Sequence, residues 1–432
     1  MSYTGRRPDV QIADHPQLVP ASGFNWLALL VVAFFVIAAV GVFMSQGIVV
    51  AFGIMGLVAS AIAMGWNRIA LEELSYDLEV SHQRAEVGDT VPITVSLVNR
   101  KPVPLAWVKV EDEFPDAVRV VGGDVVQNSN TRIQTLRHLT SMSWYERIRW
   151  DYEVNCTRRG LHHMGPVTIE SGDPFGFVRT RKVQQHQSSI LVLPRIVALT
   201  DLGLPAVKPL GEVRGGDRIY EDVTRPAGLR DYQKGDPLTR VDWKATAKAR
   251  QLLVRTFDPS STVNVVIAVA VDTTEPFWRI NVPEELERVI TVAASVAHYV
   301  AERDYSFGLF ANDMAVQVKR SMKVKPRQGQ EQLGEVMAAL ATTPPMASGP
   351  MANHLAEHGR RFPLGTTVVL CTAFITEGMV ATLNDLAHAG MKLVIMYVGA
   401  KEPPELPERV LVYSVREHLV SMEAAARFGG DR

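Results

Sequence analysis

Arg230, Lys234, Arg240, Lys244, Lys248 and Arg250 crowd the stretch GLRDYQKGDPLTRVDWKATAKARQLLVR (228–255), with only Asp231, Asp236 and Asp242 to balance them. Guanidinium and ammonium groups at this density suit two kinds of chemistry. They can grip a partner that carries carboxylates or phosphates, or they can stabilise negative charge developing in a transition state. Tyr232 and Trp243 stand among the charges, and aromatics with a polar edge are favoured where one protein surface meets another. Arg230, Tyr232, Asp236, Arg240, Asp242, Trp243 and Lys244 are therefore the candidate partner-binding residues. A plainer role competes. Mixed charges on a loop and helix commonly form a solvated lattice worth under about 1 kcal/mol per pair, and the segment would then clasp the domains on either side. DWKATAKAR reads as a short helix with Asp242 near its start and Lys248 and Arg250 near its end, as the helix dipole prefers. Lys244 and Lys248 would share one face and repel unless an acid or partner lies opposite. Trp243 would then point into the seam between domains.

Other reactive constellations are missing. The chain has no GxxxxGK[ST], no GxGxxG after a strand, no HExxH and no GxSxG, so nothing marks phosphate-loop, dinucleotide, zinc-protease or hydrolase-elbow chemistry. His162 and His163 are adjacent and would face opposite sides of a strand, a poor arrangement for one metal. Cys156 lies near Arg158 and Arg159, which could lower its pKa, but no His–Asp set accompanies it. Cys371 sits in an apolar run and reads as core. No residue is assigned a catalytic role.

The elements that must hold these residues start at a membrane. Phe24–Met44 and Gly47–Trp66 carry no charged residue, and each is close to the roughly 20 apolar residues that span a bilayer. Only Ser45 and Gln46 separate them, so they read as a tight helical hairpin over 23–74, with Gly41, Gly47, Gly53 and Gly56 allowing close contact. The first run is too long for a signal-peptide core and lacks a small-residue cleavage site. Pro-Asp-Val after Arg6-Arg7 departs from a twin-arginine signal. Arg6 and Arg7 before the hairpin, Arg68 after it and an uncharged turn place the tail (1–22) and everything beyond Asn67 in the cytoplasm. The expected location is the inner membrane, multi-pass. Two cysteines in 432 residues agree with a reducing compartment. A net charge of -1 gives no global field to attract nucleic acid.

Beyond the hairpin, YDLEVSH, TVPITVSLVN, LAWVKVEDE and WYERIRWDYEVN alternate apolar and polar residues between turn signals. They predict a two-sheet sandwich of immunoglobulin-like size over 75–195. Residues 196–261 are a linker plus the charged segment. From 262 to 432 continuous apolar runs alternate with amphipathic helices, beginning with VNVVIAVAV and PEELERVITVAASVAHYVAERD. That alternation predicts a doubly wound α/β domain. The fold class is thus multi-domain, with helical hairpin, β-sandwich and α/β parts.

Three motifs carry a resemblance covering essentially the whole chain. They are TRRGLHHMGP…SGDPFGF (157–177), the 228–255 stretch, and the buried strand ending in Val271-Asp272-Thr273-Thr274. Together they resemble the DUF58 proteins, whose C-terminal domain is similar to von Willebrand factor A domains. The resemblance implies partnership with MoxR-type AAA+ ATPases, beside other von Willebrand A or transglutaminase-like membrane proteins. It also raises a Mg²⁺ site. In von Willebrand A domains a D-x-S-x-S loop, a later Thr and an Asp supply the hard oxygen ligands that Mg²⁺ requires. Asp272 and Thr274 fit the first two positions, Pro276 replaces the second Ser, and Ala373 replaces the distal acid beside Thr372, with Glu377 nearby. The site therefore looks degenerate, and no cofactor is expected. The expected function is a non-enzymatic membrane-anchored adaptor or scaffold in protein assembly or maturation. The alternatives are a hydrolase using the Arg/Asp/Lys cluster and an envelope-facing adhesive module.

Overall fold

The computed structural model describes residues 17–20, 26–128, 131–173, 179–185, 188–206, 209–210, 221–233, 241–259, 264–278, 282–314, 322–363 and 365–429. Arg6, Arg7 and the DPFG corner after Asp173 lie outside these residues. The chain is mixed α/β and divides into two compact units, Met1–Leu193 and Pro194–Arg432.

In the first unit β1 (Gln17–Pro20) precedes α1 (Trp26–Phe43) and α2 (Gly47–Ala70). The helices pack too tightly for side chains at their small residues. A Cβ on Gly53 would lie 2.6 Å from the Ala38 nitrogen, and one on Gly41 2.8 Å from the Val50 nitrogen. Large apolar side chains such as Leu29, Val32, Phe35, Phe52, Met55 and Val58 remain exposed on the hairpin. Gly47–Trp66 is long and apolar enough to cross a membrane. Among the described residues the first helix is α1, Trp26–Phe43, with an apolar stretch of Ala28–Phe43; the residues just before it, 21–25, lie outside them.

The rest of this unit is β. In chain order come β2 (Leu74–Val80), β3 (Arg84–Glu86), β4 (Thr90–Asn99), β5 (Leu105–Pro115), β6 (Val118–Val121), β7 (Asp124–Asn128), β8 (Ile133–Met142), β9 (Arg147–Cys156), β10 (Gly160–His163), β11 (Val167–Gly172), β12 (Arg179–Gln184) and β13 (Ser189–Leu193). They form a six-stranded sheet β1-β12-β11-β5-β8-β7, a four-stranded sheet β2-β4-β9-β6 and a small sheet β10-β13-β3. Alternate residues of both larger sheets, among them Tyr76, Ile93, Leu97, Val110, Phe114 and Ile169, share one core. Two pairs of polar side chains inside it bond each other. Tyr76 donates to Asp112 Oδ2, and His138 Nε2 bonds the Tyr152 hydroxyl at 2.9 Å. β1 and β2 flank the hairpin in sequence, and both are seated in these sheets.

Where the hairpin ends, Lys101 is 5% exposed and donates from Nζ to the Glu72 carbonyl at 2.9 Å. Burial lowers its pKa to about 8, with Glu73 and Glu72 pulling it back up.

The second unit opens with a ribbon, β14 (Glu221–Asp231) against β15 (Leu253–Pro259), with α3 (Trp243–Ala249) between them. It continues β16 (Asn264–Val269), α4 (Pro283–Glu302), β17 (Ser306–Ala311), β18 (Met322–Arg327), α5 (Gln330–Ala341), α6 (Met351–His358), β19 (Thr367–Thr372), α7 (Glu377–His388), β20 (Lys392–Tyr397), β21 (Val410–Ser414) and α8 (Arg416–Gly429). Its sheet runs β18-β17-β16-β19-β20-β21. Numbered from β16, that is the doubly wound order 3-2-1-4-5-6, with the third strand antiparallel to its neighbour. The helical spacing predicted for α4 holds: Leu286, Val289, Ile290, Ala293, Val296, Ala297 and Val300 are all buried.

Lys101 yields a pH test. The folded protein gives up this proton at lower pH than the unfolded chain, so the group adds stability as pH rises above about 8 and stops adding near 10.4. Melting of the detergent-solubilised chain should therefore show an increment between about pH 8 and pH 9.5 that is absent from Lys101→Met.

Candidate functional site

The charged segment folds as the end of β14, a connection, α3 and the start of β15. Tyr232 N donates to the Leu252 carbonyl, and Asp242 N to that of Leu253, which closes the ribbon under the short helix. Asp242 caps that helix: its Oδ1 accepts from Lys244 N and Ala245 N, both at 3.0 Å. Lys248 occupies the last turn, and Arg250 ends the helix in a left-handed conformation at φ 57°. Arg230 reaches the carbonyl of Asp231, whose carboxylate accepts from Gln251 Nε2 at 3.1 Å. Asp236 and Arg240, with Lys234, lie outside the described residues.

Trp243 is exposed. α3 has no buried residue, and the Trp243 side chain is 65% exposed. Leu229 and Leu252 on the same ribbon are also exposed, at 49% and 43%. Lys244, Lys248 and Arg250 are exposed beside them. A helix this short and this unburied contributes little to the core, so its Trp and its cations are available for contact.

The other candidate lies at the carboxyl edge of the α/β sheet, where β16 and β19 adjoin and the winding reverses. Ligands gather at that position in such folds. Asp272, just past β16, is buried with its carboxylate turned into the protein. Oδ1 accepts from Asn312 Nδ2 at 2.6 Å, and Oδ2 from Met351 N, the first residue of α6, at 3.3 Å. Asn312 in turn donates to the Gly349 carbonyl and accepts from Val271 N, both at 2.8 Å. Burial raises the Asp272 pKa, and these hydrogen bonds oppose the rise. Thr273 Oγ1 accepts from Val282 N at 2.8 Å ahead of α4. Thr274 Oγ1 is buried with no hydrogen-bond partner. On the neighbouring strand Thr372 Oγ1 donates to the Phe374 carbonyl at 2.7 Å.

These residues do not fit a Mg²⁺ centre. The Asp272 oxygens already serve two donors, Ala373 and Pro276 offer no side-chain oxygen, and Thr372 is spent on its own turn. Among the described residues no three His, Cys, Asp or Glu side chains gather closely enough to hold a metal. Asp272 instead fastens β16 to β17 through Asn312 and to the start of α6. Sequence reasoning missed Asn312 and α6, because their partners lie far away along the chain.

The thiol expectation also fails. Cys156 is buried, and desolvation together with Asp89 pushes its pKa up to about 11. Arg158, expected to lower it, is paired with Asp116 at 3.2 Å. His162 bonds the Arg158 carbonyl at 2.9 Å, while His163 is exposed.

Comparison with known proteins adds a family. Residues 228–415 match the model described as "Protein of unknown function DUF58". The chain is similar to the uncharacterized protein YeaD of Bacillus subtilis, at 23% identity over 333 residues, covering 76% of this chain and 77% of that one. Likenesses to solved structures are slight. A cohesin module of a Clostridium perfringens glycoside hydrolase gives a TM-score of 0.21 at 5% identity, over 27% of this chain and 96% of that one. A β-glucosidase from Listeria innocua gives 0.17 at 12% identity, over 28% of this chain and 16% of that one. At these scores neither carries an argument.

Three outcomes follow from the geometry. Asp272→Ala leaves Asn312 and Met351 N without their acceptor and should cost about 3 kcal/mol in denaturant unfolding. Mg²⁺ added to the wild type should leave its melting temperature unchanged. Asp242→Ala should cost about 1 kcal/mol of local stability, read as faster hydrogen exchange in α3.

Proposed function

With the chain a member of the DUF58 family, we propose that it is a membrane-anchored, non-enzymatic adaptor that docks a MoxR-type AAA+ ATPase through the ribbon and α3. One observation carries this reading: Trp243 stands exposed on a helix that buries nothing, beside Leu229, Leu252 and the cations Lys244, Lys248 and Arg250. Exposed Trp with flanking cations is the composition of interface hot spots. The ATPase would meet it with an acidic surface, since the described cations of α3 need counter-charge.

The anchor is the α1–α2 hairpin, read as two membrane passes. Its exposed apolar surface suits lipid, and the seating of both β1 and β2 in the sheets of the first unit suits a hairpin whose ends emerge on one side. The uncharged turn and the basic residues outside it favour the cytoplasmic face of the inner membrane. We read the sheets of the first unit as an immunoglobulin-like sandwich and the second unit as a von Willebrand A-like domain without its metal. The strand order and the antiparallel third strand support the latter.

Affinity purification of the full chain from its own membranes with ATP hydrolysis trapped, followed by mass spectrometry, tests the partnership. An AAA+ ATPase should co-purify with the wild type and be reduced about tenfold or more with Trp243→Ala/Lys244→Glu, whose melting should match the wild type. Recovery of no such ATPase, with or without nucleotide, would sink the proposal.

A further inference from the structure

A cleft of about 1010 Å³ opens at the carboxyl ends of β16, β19 and β20, lined by Thr274, Glu275, Trp278, Phe374, Tyr397 and Glu402 among others. Its size and its place at the winding switch are those of a binding site. α4 starts there, at Val282 and Pro283. A helix start ordinarily welcomes phosphate, but this first turn already holds Glu284 and Glu285. The chain thus fills the positive end of the helix with its own acids, and an anionic ligand would meet repulsion.

The charge of the lining points the same way. Among the described lining residues three acids, Glu275, Glu285 and Glu402, stand against Lys401. Glu285 is the inner one. Its Oε1 accepts from Arg416 Nη1 at 2.5 Å and Arg288 Nη1 at 3.5 Å, which fix and neutralise it, while its Oε2 is buried with no hydrogen-bond partner. Glu275 and Glu402 are exposed and have no ion pair among the described residues. Lys401 offsets one of them, so the described residues of the rim stay net negative. Trp278, 74% exposed, offers an indole face that a cation favours. Phe374 and Ile375 supply apolar wall for an aliphatic stem.

We propose that this cleft binds a single lysine or arginine side chain presented by an extended segment of a protein partner. The cationic head sits between Glu275, Glu402 and the Trp278 ring, and the stem lies along Phe374 and Ile375. The site uses no residue of 228–255 and stands whether or not an ATPase docks there.

The test is fluorescence anisotropy of a labelled Ser-Ala-Arg-Ala-Ser peptide titrated with the full chain in neutral detergent, beside the same peptide with citrulline for arginine. Saturable binding is expected for the arginine peptide. It should weaken about tenfold or more for the citrulline peptide and for Glu275→Gln/Glu402→Gln, and measurably for Trp278→Ala. Trp243→Ala should leave it unchanged. The proposal is overturned by absence of saturable binding to the wild type, by equal binding of the citrulline peptide, or by loss with Trp243→Ala. The citrulline comparison uses only the wild type, so a poorly folded variant cannot obscure the result.

Discussion

A carboxylate almost sealed from water must find its donors inside the protein, and Asp272 finds them on two elements remote from it in sequence. Asn312 follows β17, and Met351 begins α6. Three separate pieces of chain therefore meet at one buried charge, and because an unpaired charge there would be costly, their relative positions are closely fixed. The crevice at the sheet edge is shaped by that constraint. Thr273 and Thr274 leave the strand in a set direction, α4 is pinned through Val282, and the cleft opens beyond them. What resembles a metal-ligand loop in sequence is a structural tie in space.

Two other regions obey the opposite constraint, apolar surface left outside. On the hairpin the glycines draw the helices together and turn the bulky residues outward, the arrangement expected where the solvent is hydrocarbon. On the ribbon, Leu229, Trp243 and Leu252 are exposed among cations, which suits a surface wet in isolation and covered in a complex. Lipid suits the first and protein the second, because only the second is interleaved with charge.

Elements whose burial follows simple periodicity were legible in the sequence. TVPITVSLVN alternates cleanly and is β4 with the same bounds; the buried face of α4 is the one its spacing marks. β8 was not legible, because Gln134 and His138 occupy inward positions and disguise its alternation. α6 is short and follows a proline, so its pattern is too brief to read, and its start is held by a residue 79 positions earlier. The exposure of Trp243 was not fixed by its hydrophobicity: the seven residues of α3 bury none of their side chains. Cys156 misled because neighbours in sequence are not neighbours in field: Arg158 turns to Asp116 and the thiol turns into the core.

The pairing of β1 with β12 reaches across the whole first unit, with Gln17 opposite Val183. During synthesis the leading strand leaves the ribosome before either apolar helix, and its seat is made only after the rest of both large sheets has emerged. Closing so long a loop is slow relative to local pairing. The sheet edge is therefore among the last parts completed, after the apolar hairpin has already had to find its own surroundings. Order of assembly is thus written into the fold: the hairpin first, then closure of the sheet by the strand that precedes it.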